Sequence, residues 1–526
     1  MEGKRPTVAS RHGVVAAAHP LAAAAGARIL GRGGNAFDAA VATAAALGVV
    51  EPFMSGLAGI GMATCWVAGD QRIRTLDFRT AVPQGTPAGR GSRHEDASAG
   101  AMAATAPGSL AGWYNMVSAH GTRTLAELLA PAIALARDGV PLTAFNTAVI
   151  NQSAVALRDR PFFEAWNATY TDGQGCVRPG QVLRQPDLAG SLEAIASDGT
   201  RHLYGGPLGQ KLVAHARSLG GCLAMGDLEA VSPGWGKPVS AAYRDLTVHT
   251  PRPPGEGFEL LLTLRILDGF DLGKMERDGV GHLDTVWRAA RLAAMERVAH
   301  GNPSPDDLER LLADELVARL RGRVADGRPI EGKVERRPAP EQHATSLAVA
   351  DRAGNLVCIT QSLGGPFGCG VVVPGTGLCL NNALCWGEHD GDGGDVLVPG
   401  RMLTSSMAPS VATRGRVPVL AFGTPGGHGI CQTAAQALVQ VVDFGLSPQA
   451  ALAAPRALLG DGRRVTAESR FSARVLEGLR ERGHVVESPA AWMVQAGGMQ
   501  AVVMEPATGV KTGAADPRRD GYVATA

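Results

Sequence analysis

The sequence predicts an α+β protein in which sheets are sandwiched between helical layers, and three stretches carry that reading. Alanine-rich helical segments open the chain, a long helical middle follows, and the remainder turns to short hairpin-forming strands. In "HPLAAAAGARILGRGGNAFDAAVATAAALGVVEP" Pro20 sits at a helix start, where its missing N–H costs nothing. "GRGGN" ends that helix, and Asn35 caps the next, which carries Asp38 in its first turn. Two helices faced with alanine can approach closely and form a layer against a sheet. "GMATCWVAG" and "RIRTLDFRTAVP" read as a hairpin, and "AATAPGSLAGWYNMVSAHG" returns to helix after a Pro-Gly turn.

From about residue 120 to 320 the pattern is largely helical, with "VSPGWGKPVSAAYRDLTVHTPRPPG" reading as turn, strand and turn. Residues 324–343, "VADGRPIEGKVERRPAPEQH", lose apolar periodicity and form an irregular linker. Beyond it, "SLAVADRAGNLVCITQS" makes a hairpin around Ala353-Gly354-Asn355, and "GCGVVVPGTGLCLNN" makes another. "VPVLAFGTPGGHGICQTAAQALVQVVDFG" reads as strand, glycine turn and helix, and strands resume towards the end.

Composition narrows the function classes. The chain has 526 residues, enough for about three domains or one large layered one. Lys+Arg 50 balance Asp+Glu 49, and aromatics are 5 % of residues. There is no basic arm or stacking platform, so nucleic acid is not an expected partner. The longest apolar run, Ala39 to Val50, is too short to span a bilayer, and no membrane partner is expected. The amino terminus shows no separate basic region, apolar region and cleavage site, and a cytoplasmic location is expected. The eight cysteines stand singly, without a metal-ligand spacing, and read as reduced core thiols. No metal or other cofactor is expected.

Several short stretches carry chemistry. In "FGTPGGHG", Gly426 and Gly427 lie between an apolar strand and a helix start, where free N–H groups can hold a developing oxyanion; a plain tight turn is the alternative. Thr345 opens a strand, and a chain break just before it would place a free amine beside its hydroxyl; a β-forming threonine at a strand edge is the alternative. Ser405 and Ser406 can supply hydrogen bonds to a pocket or cap a turn. Arg79 in "DFRTAVP" can hold a carboxylate through two N–H groups, or pair with Asp77. His343 and His428 lack the neighbours a metal site needs.

Taken in order, these motifs resemble the gamma-glutamyltransferase family of the N-terminal-nucleophile hydrolases over nearly the whole chain. "GGNAFDAAVATAAALGVVEP", "GLAGIGM", "LDFRTAVP" and "APGSLAGW" are similar to the large-subunit half. "TSLAVADRAGNLVCITQS", "FGCGVVVPGTGLCLNN", "RMLTSSMAPSV", "GTPGGHGI", "APRAL" and "GAADPR" are similar to the small-subunit half. The resemblance implies a four-layer αββα sandwich made jointly by residues 1–343 and 344–526. It also implies a precursor that cleaves itself to expose an N-terminal threonine, and association of the cleaved segments or of whole copies. By position, Arg79 resembles the residue that holds the substrate carboxylate, and Ser405 and Ser406 the paired serines of that pocket. Gly426 and Gly427 resemble the oxyanion glycines, and Ser362 a second hydroxyl beside the nucleophile.

The departures from the family pattern are equally specific. Aligned without a gap through "ADRAGNLV", the nucleophile position falls on Ala344, which has no attacking atom. Thr345, one residue on, belongs to the opposite strand face unless a bulge turns it. Trp386 stands where the family has an aspartate for the substrate's α-ammonium, Ala383 replaces a polar side chain, and Gly364 replaces a side-chain amide. An indole cannot accept from a buried ammonium. The expected substrate is a small amide bearing a carboxylate, with an apolar or aromatic group in place of the glutamyl amine. The expected activity is that of an amidohydrolase or acyltransferase, with this copy uncleaved and inactive. A non-catalytic homologue that binds a small carboxylate is the alternative.

Overall fold

The computed structural model describes residues 5–87, 98–335, 343–387 and 396–526. Two seven-stranded antiparallel sheets form its centre. The first runs in the order Val8–Ser10, Lys511–Ala515, Gln500–Met504, Val417–Gly423, Ser410–Arg414, Leu246–Thr250, Val239–Tyr243. The second runs Tyr522–Thr525, Val14–Ala17, His343–Ala350, Leu356–Gly364, Ile60–Val67, Arg72–Asp77, Gly234–Gly236.

The central strands are buried along their length but for His343 at the start of one, as sheets covered on each side require. Between the sheets lie Val14, Ala16, Ala348, Ala350, Cys358, Val411, Ala421 and Val502. These small side chains let the sheets pack closely. On its other face the second sheet presents Leu347, Val349, Val357 and Ile359 to the helices Pro20–Gly31, Ala36–Val50 and Ser109–His120. The first sheet meets Phe258–Leu267, Val280–His300 and Gly429–Val442. The result is helix, sheet, sheet, helix, the αββα sandwich that the sequence predicts.

The opening helices form as their residues dictate. Asn35 Oδ1 accepts from the N–H groups of Phe37 and Asp38, while Asp38 Oδ2 accepts from Asn35 N–H. All fifteen residues of Ala36–Val50 are buried. Its neighbour approaches so closely that a Cβ on Gly26 would stand 2.1 Å from Thr43 Oγ1.

One stretch departs from expectation. "WGKPVSAAYRDLTVHT" holds three strands rather than one, and they divide between the two sheets. The turn joining the last two uses Arg244 at φ 55°, where Asn or Gly is the usual signal. Its guanidinium is held by Asp443 and by the carbonyls of Asp268 and Phe270, which fixes a backbone conformation the residue type does not advertise. The linker expected at 324–343 lies partly outside the described residues, and residues 326–335 are irregular but for one isolated bridge, at Gly332.

Candidate active site

The His343–Ala350 strand enters the second sheet between Val14–Ala17 and Leu356–Gly364. Its ladder with the latter is regular from Thr345 opposite Gln361 to Ala350 opposite Leu356. The register shifts just before, where His343 lies opposite Gly364, so the extra residue falls on the Ser362–Leu363 side. The irregularity is therefore centred on Ala344 and does not turn Thr345.

Thr345 keeps the helix-facing orientation of Leu347 and Val349, and its Oγ1 donates to Glu51 Oε2 at 3.0 Å. Its side chain is fully buried there. The Thr345 hydroxyl points into the helical layer, away from the face that carries Ser346 and Ser362. On that other face Ser346 Oγ lies 2.9 Å from Thr360 Oγ1. Ser362 Oγ accepts from Gly364 N–H at 2.7 Å and donates to the His343 carbonyl at 2.5 Å. The Ala344 carbonyl accepts from Arg519 Nη1 at 3.1 Å. Both carbonyls flanking residue 344 are therefore held, one by Ser362 and one by Arg519.

Arg519 also links this strand to the glycine turn. It lies beneath Gly498, where a Cβ would stand 2.8 Å from Arg519 Cδ and 3.1 Å from Pro425 Cγ. The same loop sets the Gln495 carbonyl against Gly426. Gly426 and Gly427 have φ of 134° and 55°, a backbone open to glycine. Their carbonyls begin the Gly429–Val442 helix by accepting from Gly429 and Ile430 N–H. Among the described residues neither glycine N–H donates a hydrogen bond. His428, next in line, places Nε2 3.0 Å from Glu335 Oε1.

Arg79 and Ser405 are brought together in one knot. Arg79 Nη1 donates to the carbonyls of Leu403 and Pro254, and Ser405 N–H donates to the Pro254 carbonyl at 3.0 Å. Ser405 Oγ accepts from Met407 N–H, and Ser406 is half-buried beside it. The remaining fork of Arg79 is taken by Asp77, at 2.9 and 2.6 Å. Burial opposes ionisation of Asp77, but the Arg79 charge and hydrogen bonds outweigh it and hold the carboxyl below its usual range. The pair with Asp77, open as an alternative in the sequence, is thus the one present.

Trp386 closes the short turn Ala383–Trp386 and packs against Val82, Leu384, Leu397 and Leu403. This apolar cluster adjoins the Arg79 knot through Leu403. Ala383 N–H donates to Asn381 Oδ1. Gly364, at φ 105°, leaves room that Asn382 fills: a Cβ there would meet Asn382 Oδ1 at 1.9 Å. That oxygen accepts from Gly365 N–H, so the Asn382 amide occupies the space beside Gly364.

Sequence reasoning missed Glu51, Arg519 and Asn382. Glu51 carries a signal after the fact. It ends the helix Ala36–Val50, where the macrodipole disfavours an acid, and it interrupts an otherwise apolar run. Burial pushes its carboxyl up to about 7; Arg519 and the Thr345 hydroxyl pull it down, and Asp520 adds to the rise. Among the described residues no group of three or more His, Cys, Asp or Glu side chains could hold a metal ion, and no helix is long and apolar enough to cross a membrane.

With this geometry in view, the sequence profile of gamma-glutamyltranspeptidase matches residues 22–526. The chain belongs to that family. It is 34% identical to the acylase ACY 1 proenzyme of Pseudomonas sp. (strain V22), over 98% of this chain and 94% of that protein. It is 30% identical to the oxamate amidohydrolase proenzyme of Klebsiella pneumoniae subsp. pneumoniae, over 98% of both. The crystal structure of cephalosporin acylase from Bacillus halodurans superposes with a TM-score of 0.92 at 30% identity, covering 100% of this chain and 98% of that one. Membership and fold place the chain among the amidohydrolases and acyltransferases of the N-terminal-nucleophile class.

Proposed function

We propose that this fold serves an amidohydrolase or acyltransferase whose nucleophile position is 344, and that Ala344 leaves the present chain uncleaved and inactive. The observation that carries this reading is the treatment of the peptide around 344. Ser362 donates to the carbonyl before it and Arg519 to the carbonyl after it, while Thr345 faces the helices. A threonine at 344 would attack the His343 carbonyl through its hydroxyl, moving that acyl group from its own nitrogen to its oxygen. Water would cleave the ester and free the amine, which would then act as base while the hydroxyl attacks a substrate amide and expels its amine. The Gly426 and Gly427 N–H groups would receive the oxyanion, each such donor being worth on the order of 3 kcal/mol. Water would release the acyl group, and an amine acceptor would give transfer.

The substrate reading rests on the side chains beside the Arg79 knot. Trp386 and its apolar neighbours support an acyl group without an α-ammonium, and the likeness to proteins named acylases supports the same class. A substrate carboxylate would approach Ser405, Ser406 and the Arg79 knot, and contact with Arg79 itself would require Asp77 to yield. Ala344 also supports a second reading, a non-catalytic homologue that binds a small carboxylate.

Replacing Ala344→Thr is the test. Mass analysis is expected to show two fragments meeting between His343 and residue 344, with amide hydrolysis appearing alongside. Persistence of an intact, folded, inactive chain would favour the binding protein. Fragments of the present chain that meet before Thr345 would overturn the assignment of 344.

A further inference from the structure

The arrangement around Glu51 is costly. A carboxyl sits fully buried at the wrong end of a helix, with Oε1 unpartnered among the described residues. Arg519, only 5 % exposed, likewise has no partner for Nε among the described residues. Nothing in the packing of the helix requires an acid at this point, because every other residue of Ala36–Val50 except Asp38 and Thr43 is apolar or glycine. What the two groups share is the strand start: Glu51 holds the Thr345 hydroxyl and Arg519 holds the Ala344 carbonyl.

Resting on the assignment of 344 above, we propose that Glu51 and Arg519 form a clamp that grips the Ala344–Thr345 peptide from the helical side, Glu51 through the Thr345 hydroxyl and Arg519 through the Ala344 carbonyl. The clamp fixes the side chain of residue 344 on the face of Ser362. Thr345, Glu51 and Arg519 are positioning residues, and none contacts the reacting atoms. A free threonine hydroxyl one residue from the nucleophile would be a competitor, and engagement with Glu51 removes it. The grip depends on ionisation, since Arg519 attracts Glu51 while Asp520 opposes its charge; Asp516 acts on Arg519, and Thr143 in turn donates to Asp520.

Two measurements separate this from the functional reading. In the chain with Ala344, hydrogen exchange of the peptide spanning 343–350 is read in E51L, E51Q, T345V and T345S. Exchange is expected to rise by about tenfold in T345V and E51L, and to stay near the parent in T345S, which keeps the hydroxyl. In an A344T background, self-cleavage is followed from about pH 5 to 9. T345V is expected to slow it by about tenfold or more, T345S to restore it, and E51Q to flatten its pH profile near neutrality. Unchanged exchange in T345V and in both Glu51 variants overturns the clamp. Raised exchange with an unchanged cleavage rate also overturns it, because the grip would then position nothing. If A344T never cleaves while exchange responds as expected, the nucleophile assignment fails and the grip on the strand stands. E51Q, nearly isosteric, covers the case in which E51L does not fold.

Discussion

Asp516 and Glu51 are both fully buried acids next to Arg519, yet they are driven in opposite directions. Asp516 receives Arg456 Nη1 at 2.7 Å, Arg518 N–H at 3.0 Å and Arg518 Nη1 at 3.1 Å. Burial raises it, but the Arg456 and Arg518 charges outweigh burial and bring the carboxyl down to about 2. Glu51 receives one hydroxyl and is left near 7. The lesson is that burial does not decide the state of an acid; the supply of donors does. The saturated cluster, which also includes Glu468 with Arg470 and Arg518, suits a permanent scaffold. The half-supplied acid suits a group that answers to pH.

The largest effect is expected from stripping the saturated side. D516N leaves Arg456 and Arg518 short of counter-charge in a buried site, and should cost about 3–5 kcal/mol in urea unfolding at neutral pH. Next comes the pH response of Glu51. Its carboxyl lies near 7 in the fold against an ordinary 4.5, so the folded state binds that proton more tightly. The resulting stabilisation is complete below about pH 4.5 and is lost as pH rises through 7, amounting to about 3 kcal/mol. E51Q should flatten unfolding free energy across that window. Asp516 works the other way: its contribution is present above about pH 4 and disappears as pH falls through 2. A parent whose stability is flat from pH 5 to 8 would erase the contrast.

A smaller effect, about 2 kcal/mol, is expected for G364A, which forces alanine to φ 105° and onto Asn382. Thermal unfolding of G364A with and without N382A separates the two causes, since only the overlap is relieved in the double variant. The smallest belongs to the surface, where R414A removes an exposed pair with Asp245 and should change stability by under about 1 kcal/mol.

Much of this was legible in the residues themselves. Pro20, Asn35 and Asp38 announce the first two helices because capping is local chemistry. Gly354 announces the hairpin by its need for positive φ. Counting back from "ADRAGNLV" puts the family's nucleophile position on Ala344, one residue before Thr345, and strand alternation already puts Thr345 on the other face. The partners of Arg79 could not be settled that way, since Pro254 and Leu403 lie 175 and 324 residues away. Glu51 and Arg519 were hidden for the same reason: 468 positions of sequence separate a helix end from a turn that the fold brings to one peptide. Asn382 filling the space above Gly364 is a property of two loops, invisible to either alone.

The order of strands has a further consequence. Residues up to 335 contribute Val14–Ala17, Ile60–Val67, Arg72–Asp77 and Gly234–Gly236 to one sheet and Val8–Ser10, Val239–Tyr243 and Leu246–Thr250 to the other. Everything else in both sheets comes from residues after 342. A cut before residue 344 would therefore sever the chain without parting it, as cutting one thread leaves a woven cloth whole. Neither piece owns a complete sheet, so each supplies the hydrogen-bonding edges that the other needs.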